Sequence, residues 1–252
     1  RDPTTHRGSC CRRRSGSPFA CQFSWSAGDR ERSTWTPVRQ PRRSALGILY
    51  EALGEAVFED SLLAERWNFS EAEKSLLKSA LKKHINVPRT SSVGRLFDAV
   101  ASILGICQVA TYQEEAPAAL EGYADRANGT RAYTMPVRQD DCGAYLLDWQ
   151  PLMTQIVGDV IQDEDLAAIA HGFHVALARG IAEIAKIAQL ENAVLTGGVF
   201  QNALLSSLAE KFLQDAGMKV YTHSFVPAGD GGLAVGQALY GLLSFKGEKS
   251  CV

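Results

Sequence analysis

A glycine pair set between an apolar run and a helical pattern is the part of this sequence best suited to chemistry. Residues 193–214 run AVLTGGVFQNALLSSLAEKFLQ. Val194, Leu195 and Thr196 predict a short strand and Gly197-Gly198 a tight turn; Leu204, Leu205, Leu208 and Phe212 form one face of a helix. Glycine at such a turn lets the backbone approach a ligand and tolerates positive φ. The helix N-terminus beyond it offers unpaired N–H groups to an anion or a polar ring. The stretch therefore has the form of half a nucleotide site. It is neither G-x-G-x-x-G nor a phosphate loop closed by Lys-Ser/Thr, so a purely structural turn fits the same residues.

Three further groups could take part. Residues 219–225 (KVYTHSF) predict a second strand, after Gly217 as helix C-cap, and VPAGDGGLAVGQALYGLL from Val226 a loop into a helix with Leu233, Val235, Leu239 and Leu242 on its apolar face. Strand, helix and strand at this length imply a parallel pair. Both glycine turns then lie at the carboxyl ends of strands, where open α/β sheets bind ligands. Asp230, in the second turn, suits a helix N-cap or a divalent cation, and the residues alone favour the cap. Arg95 and Asp98 lie three apart on one helix face, to pair with each other or to face a ligand; pairing is the simpler expectation. His174, beside Phe173 in a helical pattern, is expected to be structural.

The elements that must position these groups are mostly helices. Helical spacing runs through 44–58, through 70–84 with Ser70 and Glu73 in capping-box positions, and through the stripe Leu96, Phe97, Val100, Ala101 and Leu104, which Gly105 should end. Pro88 and two serines mark the approach to that last helix. Residues 114–127 give another helix, broken by Asn128-Gly129 before an extended segment over 132–137. Residues 148–162 and the long stretch 165–190 complete the set, the latter repeating Leu166, Ile169, Phe173, Leu177, Ile181 and Ile184 as a core helix.

Composition separates the chain into unlike parts. Of its 252 residues 46% are hydrophobic, enough for a sizeable core. No apolar run has the length of a membrane span, and a cytoplasmic protein is expected. The six cysteines form no C-x-x-C pair, which argues against a zinc site or a disulfide framework. Residues 1–43 hold ten arginines and no lysine against three acidic residues, so the formal charge of −2 hides a strongly acidic remainder. That first segment has no structural period and is expected to be a disordered, solvated tail or a non-native stretch; nucleic-acid binding through Arg12-Arg13-Arg14 is the less favoured reading. The domain boundaries expected are 1–43, a folded unit over 44–246, and a tail over 247–252.

Three segments carry a resemblance: NVPRTSSVGRLFDAVASILG from Asn86, LTGGVFQNALL from Leu195 and VPAGDGGLAVGQA from Val226. In order and spacing they resemble the carboxyl-terminal part of the HypF-type carbamoyltransferases of nickel-iron hydrogenase maturation. Shorter agreements at QPRRSAL from Gln40, APAALE from Ala116 and Phe173-His174 extend the likeness over roughly residues 40–243. The resemblance implies an α-rich α/β fold, the later lobe of an actin-like ATPase (ASKHA) fold, with a small βαβ unit and many packed helices. It implies an enzyme that makes carbamoyl-adenylate from carbamoyl phosphate and ATP. The carbamoyl group then passes to the C-terminal cysteine of a maturation partner, for cyanide-ligand synthesis. By the same likeness Gly197, Gly198 and Asn202 line a nucleotide pocket, Gly94, Arg95 and Asp98 lie on the facing helix, and Asp230 is one ligand of a divalent metal, iron or magnesium. Asn202 suits such a role as both donor and acceptor.

The sequence also departs from the family. The acylphosphatase-like, zinc-binding and adenylate-forming regions are absent, as are the H-x-x-x-H metal ligands and the phosphate loop of the first lobe, so this chain is expected to be inactive alone, and zinc belongs only to the absent part. A truncated or frameshifted reading frame would account for the arginine-rich start. Where the family tends to have T-Y-E-G, this chain has Thr111-Tyr112-Gln113-Glu114. The competing readings are an O-carbamoyltransferase or threonylcarbamoyl-transferase relative, and a non-catalytic nucleotide-binding module. An exposed apolar face, open to self-association, is expected of a lobe without its other half.

Overall fold

The computed structural model describes residues 25–26, 39–59, 66–85, 87, 89–140 and 143–245. Most of segment 1–43, Pro88 and the tail 247–252 lie outside the described residues, and with them the expectations placed there.

Helix α1 (Pro41–Leu53) begins three residues before the expected start, because proline at the first helical position has no N–H to leave unpaired. It buries Ala45, Leu46, Ile48 and Leu49 and ends where Gly54 turns to φ 67; residues 54–58 form a 3₁₀ turn instead of continuing the helix. Helix α2 (Glu71–Lys83) opens on the expected capping box: Ser70 Oγ accepts the Glu73 N–H and the Glu73 carboxylate accepts the Ser70 N–H. Two-residue strands β1 (Trp25–Ser26) and β2 (Arg89–Thr90) pair antiparallel ahead of α3 (Val93–Ile103). Helix α3 buries Leu96, Phe97, Val100, Ala101 and Ile103 against α1 on one side and α4 (Glu115–Ala124) on the other, and Gly105 at φ 78 closes its end.

The extended segment expected over 132–137 is realised mainly one step later. Strand β3 (Val137–Gln139) pairs antiparallel with β4 (Tyr145–Leu147), three residues each, while 131–136 runs without regular structure. That irregular run is fixed by side chains. Arg131 gives two hydrogen bonds of 2.8 Å to the Asp159 carboxylate, and the Tyr133 hydroxyl donates to it at 2.6 Å. Asp159 belongs to α5 (Gln150–Ile161).

The long helix α6 (Leu166–Ala188) is capped by Asp165, whose carboxylate accepts the Ala167 and Ala168 N–H groups. It is the central support. Its fully buried Phe173 meets Phe97 of α3 edge to face at 4.9 Å, and α4, α5 and α7 (Ala203–Asp215) pack on it. Burying one such ring contributes about 1.5–3 kcal/mol. Gly172 lets α6 lie on the backbone of the 131–133 segment, since a Cβ there would stand 2.5 Å from the Arg131 carbonyl oxygen. Strands β5 (Asn192–Val194) and β6 (Lys219–Tyr221) flank α7 as the expected parallel pair, Asn192 opposite Lys219 and Val194 opposite Tyr221. The final helix α8 (Leu233–Phe245) leaves Leu233, Val235, Leu239, Leu242 and Phe245 more than half exposed. No helix among the described residues is long and apolar enough to cross a membrane.

Candidate functional site

The glycine turn lies where the sequence places it, with a different approach. The ladder ends two residues early, at Val194 rather than Thr196, although Leu195 still donates to the Tyr221 carbonyl at 2.9 Å. Gly197 then takes φ 102 and ψ 160, a conformation open essentially to glycine. A 3₁₀ turn over Gly198–Gln201 intervenes before the helix, so α7 starts only at Ala203, with Asn202 as its N-cap. The second glycine turn closes on the first. Gly197 N–H donates to the Ala228 carbonyl at 2.8 Å, and a Cβ on Gly229 would lie 3.4 Å from Gly198 Cα and 2.5 Å from Gln201 Nε2. The two strand ends thus converge as expected of this sheet edge.

Facing the glycine turn are the first turns of α3 and α4, and between them opens a cleft of about 610 Å³. Gly94, Arg95, Gly198 and Asn202 line it, with Glu114 and Glu121 from the α4 side. Gly94 stands free enough that a Cβ would touch only Ser92 Oγ, at 3.6 Å. Arg95 and Asp98 pair with each other, as their spacing predicts. Asp98 is 2% exposed, and burial pushes its carboxyl up to about 7 against the pull of Arg95, with the Glu114 charge adding to the rise.

Asn202 is committed inward. Its Oδ1 accepts the Leu205 N–H at 2.7 Å, and its Nδ2 lies 3.1 Å from His174 Nε2. His174 is fully buried and its Nδ1 lies 2.7 Å from the Ala170 carbonyl oxygen, which can only accept. The ring therefore carries its proton on Nδ1 and presents Nε2 as acceptor to Asn202. Burial pushes the imidazole down to about 4, so it is neutral at physiological pH. Each end of the Asn202 amide keeps one hydrogen-bonding position beyond these contacts. Glu121 completes the local order by accepting the Leu204 N–H at 3.1 Å, so α4 helps cap α7. Sequence reasoning placed His174 in the structural frame without its partner and missed Glu121. Nothing in their spacing signals contacts across 28 and 83 residues.

Asp230 stands apart from this order. It is the first residue of a 3₁₀ turn, Asp230–Gly232, rather than the N-cap of α8, and its side chain forms no hydrogen bond among the described residues. The cap expectation therefore fails: Asp230 already lies inside the 3₁₀ turn that runs directly into α8, and Gly229 holds the cap position before it. No group of three or more His, Cys, Asp and Glu side chains among the described residues could hold a metal ion. One exposed carboxylate does not fit a divalent cation by itself. A second cavity, of about 400 Å³ between α6, β5 and α7, is lined by Leu177, Ile181, Ile184, Leu195 and Leu205 and offers little polar chemistry.

The α-rich lobe, with its short parallel βαβ unit and a cleft at its glycine-bearing edge, has a fold resembling the actin-like ATPase type of domain found in HypF. The chain belongs to the carbamoyltransferase Kae1-like domain family, second subdomain, whose model matches residues 34–237. It is 38% identical over 205 residues to the carbamoyltransferase HypF of Rhodobacter capsulatus, covering 79% of this chain and 25% of that protein. The structure superposes on that of T. kodakarensis HypF with a TM-score of 0.74 at 27% identity, over 90% of this chain and 30% of that one. Its fold also matches full-length HypF in the phosphate- and nucleotide-bound form, with a TM-score of 0.76 at 24% identity, over 89% of this chain and 29% of that one. The chain spans about a quarter of the length of the curated relatives it matches.

Proposed function

We propose that this chain is the part of a hydrogenase-maturation carbamoyltransferase that supplies one wall of its nucleotide site. The observation that carries the reading is the cleft itself: a glycine turn at the end of a parallel strand, facing the first turn of α3 across about 610 Å³. Gly198 and Gly94 bring backbone to the ligand without side chains in between, and Gly197 sets the turn that aims Gly198. Arg95, held by Asp98, and Asn202, held by His174, give the walls a fixed polar surface. A cleft whose polar groups are already oriented costs a ligand little to order.

In the full reaction that this reading implies, carbamoyl phosphate, ATP and water give carbamoyl-adenylate, with phosphate leaving the carbamoyl group and pyrophosphate leaving ATP. The thiolate of a partner's C-terminal cysteine then attacks the carbamoyl carbon, the C–S bond forms, the C–O bond to AMP breaks and AMP leaves. The residues described here hold the adenylate end; none of them is placed as nucleophile, acid or base. A divalent metal does not fit these described residues alone, Asp230 being a single carboxylate.

Complementation tests the proposal. A HypF-type enzyme lacking the segment corresponding to residues 40–243 is mixed with this chain, carbamoyl phosphate, ATP and the partner protein, and carbamoylation of the partner's cysteine is read by mass spectrometry. Modification that requires this chain, and that Gly198→Leu abolishes by filling the cleft, is expected. A folded chain that restores nothing contradicts the reading.

A further inference from the structure

Glu114 adopts φ 67 and ψ 12, the left-handed region, immediately before the first residue of α4. Five described residues other than glycine have positive φ. His84 and Gln189 close helices, and Asn68 and Asp163 are of the types that tolerate this conformation. Glu114 stands where the family that this chain resembles tends to have glycine, which adopts this φ without strain, so here a glutamate side chain is added to a glycine-type turn. Its side chain caps nothing, and Glu115 instead accepts the Thr111 N–H and hydroxyl just upstream. The Glu114 carboxylate lines the cleft, with Oε1 4.0 Å from the position a Cβ would take on Gly198.

The other charged groups of the cleft wall are already engaged. Arg95 is held by Asp98, and Glu121 accepts the Leu204 N–H. The Glu114 carboxylate forms no hydrogen bond or ion pair among the described residues, and it faces a glycine that leaves room for a ligand. An ionised carboxylate only accepts hydrogen bonds and repels anions. We propose that Glu114 is a specificity-determining residue of this cleft: it accepts hydrogen bonds from the hydroxyl or amino groups of a nucleoside and disfavours phosphate close by. The proposal rests on the nucleotide reading given above. It assigns the cleft to the uncharged end of the ligand and directs the phosphates away from the gap between α4 and Gly198.

The test compares dissociation constants of the purified full chain for adenosine, AMP and ATP at low ionic strength. The parent is expected to bind adenosine at least as well as AMP, and ATP least well. Glu114→Gln keeps the size of the side chain and removes its charge, so it should shift the AMP-to-adenosine affinity ratio toward AMP by about three- to tenfold. Glu114→Gly should shift it the same way and also raise the melting temperature, because glycine adopts this φ without strain. Unchanged ratios in both variants, with nucleoside still bound, overturn the role of Glu114 and leave the nucleotide cleft standing. No binding of any of the three ligands by folded parent and variants overturns both.

Discussion

The imidazole of His174 is buried, bonded at both nitrogens and pushed down to about 4 from the usual 6.5. Between those values the unfolded chain takes up a proton that the folded one refuses. The stability tied to His174 is therefore full above about pH 6.5 and is lost as pH falls toward 4, by on the order of 3 kcal/mol. Asp98 acts with the opposite sign. Its folded carboxyl, raised to about 7, holds a proton that the unfolded chain has released, so its contribution is greatest below about pH 3.8 and is lost as pH rises through 7. The parent's stability profile is flattened by this opposition, and a variant at one site exposes the other. His174→Leu leaves the Ala170 carbonyl and the Asn202 amide without their partner, and is expected to cost about 1–3 kcal/mol at pH 7.5. Urea denaturation at pH 7.5 and pH 4.5 should show that cost shrinking at the lower pH. A cost that stays constant, or grows with acid, would mean that the folded ring takes up its proton at least as readily as the unfolded one.

Helix α6 meets its neighbours closely at two glycines, and they differ in what stands opposite. At Gly172 a Cβ would face the Arg131 carbonyl oxygen at 2.5 Å and the Tyr133 ring at 2.9 Å; at Gly180 it would face a Leu147 methyl at 2.8 Å. Backbone tied down by the Arg131–Asp159 pair cannot yield, whereas a leucine can change rotamer. Gly172→Ala is expected to destabilise by about 1–3 kcal/mol. Gly180→Ala should cost clearly less, because Leu147 can move aside and alanine's better helix propensity, roughly 1 kcal/mol at either site, then outweighs what crowding remains. Equal midpoints in urea would contradict this account of how α6 is seated. The same contrast explains what the sequence revealed. Helices such as α2 and α6 were legible because their caps and apolar stripes are local, and the glycine turn and the Arg95–Asp98 pair were legible for the same reason. Strands β3 and β4 are three residues long, too short for an alternation to show, and the 3₁₀ turns at Gly54, Gly198 and Asp230 sit where helix or cap was expected. The His174–Asn202 and Glu121–Leu204 bonds exist only because α4, α6 and α7 pack together.

Taken whole, the molecule has a well-filled side and an open one. The core runs from α1 through α3, α4 and α6 to α7, while α8 presents Leu233 at 61%, Leu239 at 57% and Phe245 at 95% exposure, an open apolar face. The cleft lies at the edge of the filled side, between packed helices, and the nucleotide reading proposed for it requires that it bind a small ligand by itself. Amide chemical shifts of the ¹⁵N-labelled chain during titration with adenosine test this most directly. The account predicts saturable shifts at Gly94, Arg95, Gly198 and Asn202, with residues of the apolar cavity such as Ile181 and Ile184 unmoved. Shifts confined to that cavity or to α8, or none at millimolar adenosine in a folded sample, would contradict it.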